Sequence, residues 1–180
     1  SNKPDSNTVV QLQIQDESGN EIISYSTNPN KEQKNITLKQ GMNQLTWDLE
    51  YPGPEMVKNF VAMVFDSDAP GPIAVPGNYK AILSINEKSM SQMFKVLSDP
   101  RWKDVSLEDY QAQFDLAMEI AELITRSQKQ IKNIRSIREQ VNSITELAVL
   151  AGKGDGLKES AKQLTDKLTA VEDSLFQNKI

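Results

Sequence analysis

From Arg101 to Ala151 the chain contains neither proline nor glycine, and all eight prolines stand at or before Pro100. Proline removes a backbone donor and clashes with the preceding turn, and glycine weakens a helix by its freedom, so a stretch this long without either admits one very long helix. The same point divides the aromatic residues, of which only Phe114 and Phe176 follow Tyr110. Two folds in succession are therefore expected, an α+β chain with a β domain over residues 1–100 and a helical part over 101–180.

The first part alternates as strands do. In Thr8 to Gln15, Val10, Leu12 and Ile14 share one face and Gln11, Gln13 and Gln15 the other, the period of a half-buried strand. Glu17-Ser18-Gly19-Asn20 predicts a turn into a return strand over Glu21 to Thr27. Further strands are expected at Asn35 to Leu38, at Gln44 to Glu50 with Leu45, Trp47 and Leu49 inward, and at Phe60 to Phe65. The last two fall at Asn78 to Ile85, with Tyr79, Ala81, Leu83 and Ile85 on one face, and at Met90 to Val96. Seven short strands with frequent turn signals predict an immunoglobulin-like β-sandwich, with Trp47, Tyr79, Leu83 and Phe94 in its core.

The second part has helical spacing. Ser106 is a candidate N-cap, with Glu108 and Asp109 favourably placed in the first turn. Leu107, Tyr110, Phe114, Ala117, Ala121 and Ile124 step by three and four, the seam of a coiled coil. A second frame runs Ile134, Ile137, Val141, Ile144, Ala148 and Ala151. The two frames do not join, because Gln128 is polar where a core residue is due, so a stammer is expected near 127–134. Three glycines between Gly152 and Gly156 end the helix, and a second helix with a seam of Leu157, Ala161, Leu164, Leu168, Val171 and Leu175 follows. The expectation is an antiparallel helical hairpin or small bundle, its helices near 106–151 and 157–177.

At 1.5 Å per residue these helices span about 69 Å and about 31 Å, so the second covers the first only back to about residue 131. The Leu107 to Ile124 seam, with Tyr110, Phe114 and Met118, then has no helix of this chain to bury it. A bend near Ser127, packing on the β domain, or contact with another domain or chain would each cover it. Contact with an upstream domain of a larger protein or with another chain is the expectation, and Tyr110, Phe114 and Met118 are the candidate interaction residues.

With neither cysteine nor histidine, the chain has no disulfide framework, thiol nucleophile, imidazole base or ordinary zinc site. Charge is spread evenly, with 10 Lys+Arg against 13 Asp+Glu to residue 105 and 10 against 12 after it, which argues against nucleic acid as a partner. Arg126, Lys129, Lys132, Arg135 and Arg138 are spaced by threes, but such steps spiral around a helix and form no stripe. No apolar run approaches the length of a membrane span. The chain starts at Ser1 without an initiator Met, as a processed fragment of a larger protein would.

Three segments carry a resemblance: Asn43 to Pro52 with its Trp47-Asp48, Gly71 to Tyr79 with Pro76-Gly77-Asn78-Tyr79, and Asp99-Pro100-Arg101 followed by Gln113-Phe114. Together they resemble the C-terminal region of large secreted bacterial proteins of the sortilin-like or BNR-repeat glycosyl-hydrolase-like kind. The resemblance covers roughly residues 40–142, and Glu50 stands where that pattern has Arg. It implies an Ig-like domain and long helices placed after a β-propeller, an extracytoplasmic location, and a hydrolase activity, if any, that belongs to the propeller. The expected role is a non-catalytic accessory or interaction module without cofactor.

Other chemistry has weaker signals. Trp47 or Tyr51 beside nearby carboxylates could bind a sugar, although alternation places Trp47 inward. Asp66 and Asp68 are a partial calcium pattern that an Asx-turn also explains. Asp48, Glu50, Glu55, Asp66 and Asp68 could pair for glycoside hydrolysis only in a cleft that holds two of them at the right separation. Asn35-Ile36-Thr37 matches a glycosylation acceptor and also a strand start.

Overall fold

A computed structural model describes residues 8–57, 69–154 and 156–175. It is α+β in chain order, a five-stranded sheet followed by two helices. Two compact units divide the chain. One gathers the described residues of Ser1–Gly53 and Pro70–Glu119, the other those of Pro54–Ala69 and Ile120–Ile180.

The first unit holds strands β1 (Val10–Gln15), β2 (Glu21–Ser26), β3 (Lys34–Asn35), β4 (Gly77–Ile85) and β5 (Lys88–Val96), in the order β3-β2-β1-β4-β5. All neighbours are antiparallel except β2 and β3. The alternation read in β1 holds, since Val10 and Ile14 are buried. Gly19 takes a positive φ of 85° in the β1–β2 turn, where Asp16 Oδ1 accepts the Asn20 amide. Asn86, at φ 53°, closes the two-residue β4–β5 turn.

The expected strand at Gln44 to Glu50 is not formed; only Glu50 bridges to Ile73. The reason is local. Leu49 has a φ of 65°, which breaks the extended run, Asp48 Oδ1 accepts the Glu50 amide at 3.2 Å, and the Trp47 indole donates to the Glu50 carbonyl at 3.0 Å. Side chains thus take up backbone groups that a ladder would use. Glu50 instead docks on the next loop, with Tyr51 N donating to the Pro72 carbonyl and Ala74 N to the Leu49 carbonyl. Gly71 lies directly against this tie, where a Cβ would overlap the Tyr51 carbonyl oxygen. The expected strand at Phe60 to Phe65 lies outside the described residues.

One core covers one face of the sheet. Ile14, Ile22, Ala74 and Tyr79 are buried, and Trp47, Leu49, Tyr51, Phe94 and Val96 pack on them. Tyr79 and Phe94 sit opposite each other on β4 and β5 and stack at 5.9 Å, with Trp47 edge-on to both. Leu83 is half-buried and pairs with Leu12 across β1 and β4.

Helix α1 (Leu107–Leu150) is continuous over 44 residues, through the position of the expected stammer. Ser106 caps it: its Oγ accepts the Asp109 amide and Asp109 accepts the Ser106 amide in return, a reciprocal box. At the other end, Gly152 N donates to the Val149 carbonyl and Lys153 N to the Ala148 carbonyl, with Gly152 at φ 70°. That is a Schellman close. Helix α2 (Leu157–Leu175) follows.

In the second unit, Gln128 is 3% exposed and its Oε1 accepts the Val57 amide at 3.1 Å. The polar residue in the core register is therefore satisfied, and the helix has no need to break there. Ile131 and Ile134 are buried beside it. On α2 the sheltered positions are Ala161, Thr165, Leu168 and Glu172, while Leu157, Leu164, Val171 and Leu175 of the expected seam are exposed. Glu172 is drawn inward because Arg135 Nε meets its Oε1 at 2.7 Å and Arg138 binds its Oε2.

Candidate functional site

The first unit has a cleft of about 650 Å³ beside the start of α1. Its walls are Pro72 to Pro76 on one side and Trp102, Tyr110 and Phe114 on another, with Val96 and Leu97 from the end of β5. The Tyr51–Pro72 tie fixes the first wall. The short segment leading to α1 is held by Asp99, whose carboxylate accepts the Arg101 amide and pairs with the Arg101 guanidinium. That bonding holds the Asp99 carboxyl below the ordinary range.

Of the candidate interaction residues, Tyr110 and Phe114 line this cleft and are half-buried, whereas Met118 is exposed. Phe114 meets Tyr51 edge-on at 4.8 Å. Burial, with Tyr79 and Asp16 nearby, pushes the Tyr51 hydroxyl up to about 12, and burial raises Tyr79 as well. Trp102, which the sequence did not single out, is 62% exposed at the cleft rim. Its only sequence signal was position, an aromatic just before the helix cap.

The sugar-platform candidates lie elsewhere. Trp47 makes edge-type contacts with Tyr79 and Phe94, and Tyr51 with Phe114, and both rings are half-buried. The carboxylates are dispersed as well. Asp48 binds the Glu50 amide and lies 4.0 Å from Lys34, while Glu55 in the second unit is held by Lys129 and Lys132. Asp66 and Asp68, the calcium candidates, lie outside the described residues. Among the described residues, no three acidic side chains gather as a metal cage would need.

The basic series on α1 also acquires partners. Lys129 and Lys132 reach Glu55 at 3.5 and 3.6 Å, and Arg135 and Arg138 clamp Glu172. Four of the five cations thus pair within the unit, two to each carboxylate. Among the described residues no helix is long and apolar enough to cross a membrane.

Comparisons with protein-family profiles, with curated proteins and with solved structures gave no match to the chain.

Proposed function

We propose that the chain is a non-catalytic accessory module of a larger extracytoplasmic bacterial protein, an Ig-like unit followed by a helical hairpin, which packs against or presents an upstream β-propeller. The observation that carries this reading is a group of large apolar side chains left exposed on one side of the first half of α1, Leu116, Ile120 and Leu123, which fall within about 60° of one another around the helix. Exposed apolar side chains gathered on one helix face mark a contact surface. The resemblance supplies the propeller and the extracytoplasmic setting. Its two central segments, Trp47-Asp48 and Pro76-Gly77-Asn78-Tyr79, meet through the Trp47–Tyr79 ring contact at 5.5 Å, which supports reading them as one motif.

The rival reading is carbohydrate binding. Trp47 and Tyr51 were its sequence candidates, and the ring that favours it is instead Trp102 at the cleft. Cross-linking mass spectrometry on the whole protein from its native source separates the two. Links from Lys103 to a propeller domain, lost in a Leu116→Glu, Leu123→Glu variant, support the module. Saturable oligosaccharide binding that Trp102→Ala abolishes, without such links, supports the rival. Glycoside hydrolysis by the chain that disappears in Asp48→Asn would refute the non-catalytic reading.

A further inference from the structure

The second unit carries another apolar surface, on different residues and independent of the reading above. Helix α2 runs back along α1, with Lys158 and Ala161 in one groove with Thr145 and Val149, and with Glu172 on Arg135 and Arg138. The sheltered positions, which set each helix's inward direction, are Ile134, Arg138, Val141, Thr145 and Ala148 on α1, and Ala161, Thr165, Leu168 and Glu172 on α2. Ile137, Ile144 and Leu147 are 43%, 59% and 66% exposed, and Leu164, Val171 and Leu175 are 43%, 51% and 45% exposed. At about 100° per residue, Ile137 and Ile144 lie roughly 60–80° and Leu164, Val171 and Leu175 roughly 50–90° to one side of their helix's inward direction, in the same rotational sense, with Leu147 farther round at about 140°. Because the helices run in opposite directions, equal senses of rotation put both groups on the same side of the pair. The two stripes therefore form one apolar face.

Charge is sorted away from that face. Between residues 133 and 151 the charged residues are Arg135, Arg138, Glu139 and Glu146, and all four fall on the inward or opposite side of α1. Ser136, Gln140 and Ser143 flank the apolar stripe instead. On α2, Ser160 and Gln163 flank it, and Lys167 at the rim is the one charge on that side among the described residues. Depletion of charge around an apolar centre is the compositional mark of an interface core.

We infer that this face binds the same face of a second copy of the chain, closing a four-helix bundle. An uncharged surface demands an uncharged partner, and two copies of this face meet without like-charge repulsion. Its apolar residues recur by sevens, Ile137 with Ile144 and Leu157 with Leu164 and Val171, the repeat that interdigitates with its own kind across a helix–helix seam. A two-helix layer buried against another is the ordinary bundle, and a self-complementary patch is what a two-fold dimer uses. Over α2 the face is about 27 Å long and two helices wide, a flat footprint of roughly 540 Å² that the relief of its side chains raises towards the lower end of a standard interface.

Sedimentation equilibrium of the chain between about 1 and 100 µM tests this. The expected result is a reversible dimer whose dissociation constant rises at least about 100-fold in Ile144→Glu, Val171→Glu and is unchanged in Leu116→Glu. Because both altered residues are exposed, circular dichroism and the melting temperature of the isolated variant should match those of a wild-type monomer. The chain has no cysteine, so Ile137→Cys, Ile144→Cys, Leu164→Cys and Val171→Cys, made one at a time, should give a covalent dimer on mild oxidation only at the position beside the two-fold axis. A wild type monomeric at about 100 µM overturns the inference, as does a dimer indifferent to the paired charges. So does a monomer in which a thiol at 144 resists labelling, since the face would then be covered by the chain itself.

Discussion

The side chain of Gln128 accepts the backbone amide of Val57 from 71 residues earlier in the chain. Both residues are buried, so the bond satisfies a donor and an acceptor that water cannot reach. Gln128→Leu should therefore destabilise the second unit by about 1–3 kcal/mol, since it strands the Val57 amide without a partner. Chemical denaturation would check this, and a change within experimental error would mean that the pairing is absent in solution.

Glu172 receives two guanidinium groups at 3% side-chain exposure. Its replacement in Glu172→Gln leaves two cations facing a neutral amide in a sheltered place. The pair is partly open on the arginine side, so the expected loss is about 1–3 kcal/mol, below the range for a fully buried pair. Combining it with Arg135→Met, Arg138→Met should recover much of that loss, which a double-mutant cycle would read.

The aromatic cluster of the sheet should be the most sensitive part of the first unit. Trp47→Ala and Tyr79→Ala are each expected to cost about 3–5 kcal/mol. Tyr79→Phe keeps the ring but loses the 2.6 Å bond to the Val75 carbonyl, for about 0.5–1.5 kcal/mol. A loss below about 1 kcal/mol for both alanine variants would place these rings at the surface.

Alkaline pH should weaken the same unit. Tyr25, Tyr51 and Tyr79 are all raised by burial, Tyr51 to about 12. A raised folded value means the stability is complete below the unfolded tyrosine value of about 10 and is lost as pH climbs toward 12. Tyrosinate absorbance followed during alkaline titration should show late ionisation coinciding with loss of structure. Ionisation of all four tyrosines together near pH 10 would contradict it.

Much of the architecture could be read from residue order, for identifiable reasons. Alternation in Val10, Leu12 and Ile14 marked β1, the Ser106 cap and the Gly152 close bracketed α1, and the absence of prolines allowed its length. Gln44 to Glu50 misled because it has strand periodicity, while Asp48 and Trp47 spend their polar groups on the local backbone. Gln128 could not be resolved from sequence, since its partner lies far away and a backbone amide leaves no signature. The face of α2 turned by about 50°, keeping Ala161 and Leu168, because Glu172, a poor core residue by type, is made acceptable by two arginines on α1. Trp102 at the cleft was missed for want of any periodic context.

Gly71 has a consequence for how the chain can vary. Its lack of a side chain serves no turn; it makes room for the Tyr51 carbonyl where the 49–51 and 72–74 segments tie together. Even alanine there would push backbone against backbone, with no flexible side chain to yield. Neighbouring Pro70 and Ile73 are exposed and free to drift, so mutational tolerance should fall to nothing at one codon and recover within two. A saturation library sorted for folded protein would show that notch, and distant relatives should be sought by a glycine fixed at this place more than by the aromatic pattern around it.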